Sequence, residues 1–381
     1  MRVLINALGI TDSGGISVLN KLIKELTQDK HSNQYYFILT DGGEVNDIIH
    51  IYKDYSEINF KIISNKSYLY RFLFENYFFR KIIKNHNINL IYNFSGSRQF
   101  FLKVPQLIKI HNVMFYSKSL DKYYLKSYQI IAWLKQIFFK GAIYRFMMER
   151  SSHVEIQSPH VKNCVSDFMD INDKFFYTKS DIDLDESLFS DPKKYDFSKK
   201  INFLYIVGPH FKLPHKNMID FITAMEAIDN RGIEFEINIT VSKDQIKKYD
   251  LWNRSLNSKT IFHGYLTDKE EINKLFCDNT ILISTSIIET LGLHVIEGIK
   301  NGIITIVPDE DYAHSVYGRK IFKYDLFNKD SLVNTIENII NIDKVDLYNY
   351  IIYQQQYLKK NEMDKYKNIL EVFNEVLNVQ E

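Results

Sequence analysis

Short apolar runs alternate with helix-length amphipathic stretches along almost the whole chain. In the first half the β-rich runs are Val3–Ala7, Tyr35–Thr40, Phe60–Ser64, Leu90–Phe94, Gln106–His111 and Val154–Ser158. The second half repeats the pattern with Phe203–Val207, Phe235–Val241, Thr260–His263, Ile281–Thr285 and Ile303–Val307. Runs this short and continuous, separated by helix-length segments, predict buried parallel strands with crossover helices. Between Leu184 and Lys200 the sequence LDESLFSDPKKYDFSKK has no sustained period and reads as a linker. The chain is therefore expected to be α/β, with two Rossmann-like doubly wound domains, residues 1–183 and 201–361, joined by 184–200. Ligands of such sheets bind at the carboxyl ends of the strands, so the site is expected in a cleft between the domains. In the last stretch, 362–381, Tyr366, Ile369, Leu370, Phe373, Val376 and Leu377 form an apolar helical stripe that needs a partner surface.

At 45% hydrophobic residues over 381 positions, the chain has material for two cores. Cys164 and Cys277 are the two cysteines, outside any CxxC, and are expected to be buried free thiols in a reducing compartment. MRVLINALGI enters a strand without a signal peptide's basic start, and no apolar stretch reaches membrane-spanning length, so a cytoplasmic location is expected. The net charge of +1 conceals an asymmetry: Lys61 to Arg150 carries sixteen Lys/Arg against three Asp/Glu. Aromatic residues interleave with those cations in YLYRFLFENYFFRKIIKNHN and in LDKYYLKSYQIIAWLKQIFFKGAIYRFMMER. Such helices suit either docking on an anionic membrane or a solvated surface over an aromatic core. No nucleic-acid-binding signature accompanies them, so nucleic acid is not expected as a partner.

Candidate chemistry concentrates in TILISTSIIETLGLHVIEGIKNGIITIV, Thr280 to Val307. It reads as strand, loop, helix and strand, with Glu289 at the loop mouth, Glu297 early in a helix from about Leu293, and Gly302 suited to a left-handed helix end. The free N–H groups at the start of that helix favour an anion, while two carboxylates suit sugar and ribose hydroxyls. After the first strand, Gly9-Ile-Thr-Asp-Ser-Gly14-Gly15 is either a tight turn or a phosphate cradle. Its spacing fits neither a dinucleotide-binding loop nor a P-loop. A loop with His210, Lys212, His215 and Lys216 follows the Gly208 strand end, and is either solvated or placed to neutralise a departing diphosphate. His111 ends a strand, with Asn112 after it, and Ser95, Gly96, Ser97 and Arg98 follow another strand on what topology makes the acceptor side. Asp181-Ile-Asp183-Leu-Asp185 has oxygen ligands at alternate positions but falls where a domain hinge is expected. No histidine or cysteine spacing suggests zinc.

The segment around Glu289, Gly292, Leu293, Glu297 and Gly302 resembles the Glu-x7-Glu signature of retaining glycosyltransferases of family 4. The likeness extends in order through the glycine loop, His111, Lys216 and the glutamates, over nearly all of the chain. It implies the GT-B fold, with the C-terminal helix of 362–381 crossing back onto the first domain. It implies transfer of a sugar from a nucleotide-sugar donor to a glycan or a lipid-linked acceptor such as a polyprenyl diphosphate, with no metal or other cofactor. In that scheme Glu289, His111 and Lys216 serve the reacting centre. Gly14, Gly15, Lys212, Lys216, Glu289, Leu291, Gly292, Leu293 and Glu297 hold the donor. Thr290, Leu291, His294 and Ile304 depart from the family's usual residues, and Pro209 stands where an Arg is usual, a role that falls to Lys212. The resemblance also implies peripheral docking on the cytoplasmic face of the inner membrane and a place in bacterial surface-polysaccharide synthesis, as O-antigen, capsule or lipopolysaccharide. Two alternatives stay open: a sugar-nucleotide 2-epimerase of the same fold, and a catalytically silent, membrane-docked partner subunit.

Overall fold

The computed structural model describes residues 1–381 apart from 12, 30–31, 43, 65–66, 127–128, 180, 183–187, 209–210, 267, 362–365, 367 and 380–381. Asp12 of the glycine loop, Asp183 and Asp185, the linker's residues 184–187, and Pro209 with His210 thus lie outside the described residues, as does the start of the C-terminal segment. Contacts divide the chain into one unit of Met1–Lys118, Tyr128–Asp181 and Lys365–Glu381, and another of Ser119–Ser127 and Ile182–Asp364.

The first unit is built on β1 (Arg2–Ala7), β2 (Gln34–Thr40), β3 (Ile58–Ile63), β4 (Leu90–Asn93), β5 (Gln106–Lys109), β6 (His153–Ile156) and β7 (Phe175–Thr178). They form a seven-stranded parallel sheet ordered β3-β2-β1-β4-β5-β6-β7. The helix Ser13–Thr27 turns Ile16, Leu19, Leu22, Ile23 and Leu26 onto this sheet, the stripe its sequence predicts. Ile369, Val372, Phe373 and Val376 of the helix Ile369–Asn378 join the same core, where Phe373 meets Tyr92 edge to face at 5.3 Å. That C-terminal helix is capped by Asn368, whose side chain accepts from the Glu371 amide at 3.0 Å.

The second unit contains β8 (Ile201–Tyr205), β9 (Phe235–Ile239), β10 (Thr260–Phe262), β11 (Thr280–Ile283), β12 (Ile304–Pro308) and β13 (Phe322–Tyr324). Its six-stranded sheet is also parallel, ordered β10-β9-β8-β11-β12-β13. Central β11 and β12 are buried along their whole length, which explains why they read as unbroken apolar runs.

Every strand expected from the sequence overlaps an observed one; β7 and β13 were not expected. Both lie at sheet edges, β7 is only partly buried and β13 spans three residues, so neither carries the long apolar run of a central strand. Residues 188–200 are fastened to the second unit: the Ser190 amide donates to the Lys300 carbonyl at 2.9 Å, and the Tyr195 hydroxyl to that of Thr280 at 2.8 Å. The polar residues of this segment face outward while its backbone is pinned. One cysteine expectation fails, since Cys277 is exposed and Cys164 half-buried. Among the described residues no helix is long and apolar enough to cross a membrane.

Candidate active site

In the second unit β8 lies between β9 and β11, so the loops after β8 and β11 open on the crevice where the strand order reverses. The loop after β8 ends in the 3-10 turn Pro214–Lys216, followed by Asn217 with φ +46°. Asparagine tolerates this left-handed conformation, and it swings the chain into the helix Met218–Asn230. The turn is tied to the loop after β11. The Thr285 hydroxyl donates to the Lys216 carbonyl at 2.8 Å, the Tyr205 hydroxyl donates to it at 3.1 Å, and the Ile287 amide donates to the His215 carbonyl at 2.8 Å. With both loops fastened, the Lys216 ammonium reaches Glu289, Nζ to Oε1 at 2.6 Å.

Tyrosines hold the loop after β11 from beneath. Tyr312 donates to the Ser286 carbonyl at 2.6 Å and Tyr317 to the Leu291 carbonyl at 2.8 Å. Leu291 is itself buried. Gly292 has φ +61°, and a Cβ there would stand 2.0 Å from the Tyr317 hydroxyl oxygen, so both backbone sign and space demand glycine. The helix Leu293–Lys300 then begins, kept close to the sheet by Gly298, whose added Cβ would meet Leu282 at 2.7 Å. Glu297 lies in its second turn, 3.9 Å from Lys269 and 3.8 Å from Lys300. Gly302 takes φ +70° after the helix, the left-handed end its position predicts.

Burial opposes ionisation of Glu289, but Lys216, His294 and a hydrogen bond from Ser286 outweigh it and hold the carboxyl at about 2. His294 is pushed down to about 4, by burial first and by Lys216, against the pull of Glu289. It is therefore neutral at pH 7, with Nε2 2.9 Å from the Ser284 hydroxyl. The crevice thus presents a carboxylate and an ammonium on two locked loops and a neutral imidazole in the first turn of the helix that follows.

Other residues singled out by sequence lie elsewhere. Lys212 is exposed and donates to the Lys248 carbonyl at 2.7 Å, so its ammonium is not joined to the Lys216–Glu289 pair. In the first unit Gly14 and Gly15 sit in the opening turn of Ser13–Thr27, and an added Cβ on Gly15 would meet Ile10 at 3.2 Å. His111 follows β5, edge-on to Phe94 at 4.4 Å, and burial and the Lys109 charge lower its pKa to about 3. Asn112 caps the turn Val113–Tyr116 through the Met114 amide. Asp181 is buried and paired with Lys109 at 2.8 Å, and Lys109 also pairs with Glu155 at 2.5 Å. Burial disfavours these charges, yet pairing wins, raising the Lys109 pKa and lowering that of Asp181. Asp181 therefore serves the first unit's interior. Sequence reasoning passed over Tyr205, Thr285, Tyr312 and Tyr317, because apolar-run residues give no local sign that their hydroxyls brace a loop.

The family model described as Glycosyl transferases group 1 matches residues 190–356, which include β8 to β13 and every residue of this crevice. That match spans less than half of the chain and lies within the second unit. No curated protein sequence matches the chain. Among solved structures, it is similar to Anabaena HepE in complex with UDP and glucose, at 13% identity and TM-score 0.66 over 100% of this chain and 99% of that one. It is likewise similar to sucrose-phosphate synthase from Thermosynechococcus elongatus, at 12% identity and TM-score 0.68 over 100% of both chains. The apo lipopolysaccharide outer core galactosyltransferase WaaB superposes with TM-score 0.61 at 14% identity over 100% of both. At these identities the likeness is one of fold: two Rossmann-like units, the GT-B architecture. The matched segment contains the crevice just described.

Proposed function

We propose that this chain is a retaining, family 4-type glycosyltransferase that moves a sugar from a nucleotide-sugar donor to a glycan or lipid-linked saccharide acceptor. The observation that carries the reading is the Lys216–Glu289 pair at the β8/β11 switch point, with Glu297 eight residues on, in the second turn of the following helix. An ionised Glu289 accepts from donor-sugar hydroxyls, and Glu297 accepts from the ribose diol. Lys216 stabilises the charge that builds on the departing nucleoside diphosphate. The amides opening Leu293–Lys300, beside Gly292, add positive potential. With no protein nucleophile in the scheme, the acceptor hydroxyl attacks the anomeric carbon from the leaving-group side. The C–O bond to the donor diphosphate breaks as the new glycosidic bond forms, and the leaving phosphate takes the hydroxyl proton. The protein positions the partners and supplies charge; a bound metal has no role in this scheme.

The same reading places the first unit on an anionic membrane surface at the cytoplasmic face and the product in surface-polysaccharide synthesis. Support comes from exposed apolar side chains, among them Phe72, Tyr77, Ile131, Phe139 and Phe146, interspersed with Arg80, Lys135, Lys140 and Arg150. The same segments also bury Phe74, Phe79 and Tyr124, so their aromatics divide between core and surface.

The test is incubation with a panel of nucleotide sugars and saccharide acceptors, with nucleotide release measured and the product's anomeric configuration read by NMR. Release of nucleoside diphosphate with a glycoside of the donor's configuration supports the proposal. An inverted glycoside refutes retention, and an epimerised free sugar nucleotide or silence across the panel refutes transfer.

A further inference from the structure

The first unit has its own switch point, since β1 lies between β2 and β4, and there too a cation meets a carboxylate. Arg71 comes from the helix Tyr68–Leu73, outside both loops that frame the crevice, and its guanidinium spans them. Nη2 donates to Ser95 Oγ, after β4, at 2.9 Å. Nη1 lies over Gly9, after β1, where an added Cβ would stand 2.7 Å away. Gly9 has φ +85°, so glycine is required there and leaves the space the guanidinium fills.

Glu75 anchors this arginine, accepting from its Nε at 2.8 Å. The carboxylate is 3% exposed and also accepts from the buried Asn6 side chain at 3.1 Å. It stands in the π-helical turn Phe74–Phe78, and such turns recur at functional sites. Two of the three guanidinium nitrogens are thereby engaged, while Nη1 has no acceptor among the described residues and the side chain stays 22% exposed. A pair that served stability alone would have no need of a guanidinium edge held at the carboxyl ends of β1 and β4, where doubly wound sheets receive ligands.

We infer that Arg71 is a ligand-contacting residue that binds a phosphate-type oxyanion at the β1/β4 switch point, with Glu75 as its positioning residue. The planar fork of arginine suits phosphoryl oxygens. This deepens the transferase reading and rests on it for the source of the anion, which is either the donor's diphosphate or a phosphoryl group of the acceptor.

Calorimetric titration of the full chain with inorganic pyrophosphate tests it, in a Lys216→Ala background that removes the second unit's cation. Arg71→Gln is expected to weaken binding at least tenfold, and Arg71→Lys, which keeps the charge but loses the fork, by an intermediate factor. Melting curves accompany both, and Arg71→Lys supplies the reading if Arg71→Gln does not fold. Affinity within threefold of the parent in a folded variant, or no pyrophosphate binding by the parent, overturns the inference. Repeating the series with UDP identifies the source: an equal loss assigns the oxyanion to the donor, and unchanged UDP affinity assigns it to the acceptor. Failure of the unmutated chain, with Lys216 intact, to bind any nucleotide would sink the transferase reading while leaving the pyrophosphate result interpretable.

Discussion

Lys216 and Glu289 are 73 residues apart in sequence, yet Nζ and Oε1 lie 2.6 Å apart on two loops fastened to each other by the Thr285 and Tyr205 hydroxyls. Because both side chains are largely buried, each depends on the other for compensation of its charge. Lys216→Ala is expected to cut turnover at least tenfold and to lower stability by about 1–3 kcal/mol, with a smaller penalty in the Lys216→Ala/Glu289→Gln double variant. Chemical denaturation of the four proteins in this cycle measures the coupling, and strict additivity would count against an interacting pair.

The same pair sets an acid limit. The Glu289 carboxyl is held at about 2 in the folded protein, below its ordinary 4.5. A depressed acid pKa contributes stability that is fully present above the unfolded value and lost as pH falls from about 4.5 towards 2. Glu289→Gln should therefore be less stable than the parent at pH 7 and approach it near pH 2–3. A stability difference that does not change with pH would show that pairing with Lys216 does not set the carboxyl's ionisation.

Asp220 is predicted to act in the opposite sense. Burial raises its pKa to about 6, against hydrogen bonds from Asn217 and Tyr324 that lower it. The folded state then binds the proton more tightly than the unfolded chain, so stability falls as pH rises from about 4 to about 6 and stays lower above. Asp220→Asn should stabilise the protein by about 1–3 kcal/mol at pH 7.5 and by nothing measurable at pH 4. Denaturant midpoints at the two pH values decide it, and an equal effect at both would contradict the burial argument.

Gly292→Ala is expected to be among the most damaging single-methyl changes in the crevice. The left-handed backbone at φ +61° and the Tyr317 hydroxyl oxygen both oppose a Cβ. A loss of about 2 kcal/mol or more should appear in thermal or denaturant unfolding, partly recovered by Gly292→Ala/Tyr317→Phe, which removes the hydroxyl but not the backbone strain. No recovery would mean that strain, not crowding, dominates.

The exposed face of Ile130–Glu149 supplies a test of membrane docking. Ile131 is 71% and Phe139 61% exposed, next to Lys135 and Lys140. Co-sedimentation should require anionic vesicles, weaken as salt rises, and fall several-fold in Ile131→Asp/Phe139→Asp with melting unchanged. Equal binding to neutral vesicles would refute the anionic-lipid requirement, and none to either would return these side chains to the role of solvent-exposed surface.

The sequence by itself determined the alternation of strands and helices, hence two parallel doubly wound sheets, because burial on both faces writes a strand as a continuous apolar run. It also located the loop from Ser284 to Gly292 and the end of the following helix at Gly302, since glycine at a helix boundary is a local signal. Only the tertiary structure decided which charges meet. That Lys216 reaches Glu289 while Lys212 turns to the Lys248 carbonyl, that Asp181 is spent inside the first unit on Lys109, and that Arg71 bridges Gly9 and Ser95 are all contacts between distant positions. Periodicity reports which face of an element is buried and is silent on its neighbours. For the same reason it left open whether the aromatics of Ile130–Glu149 were core or surface, and the fold exposes Phe138, Phe139 and Phe146 while leaving Trp133 and Tyr144 half-buried.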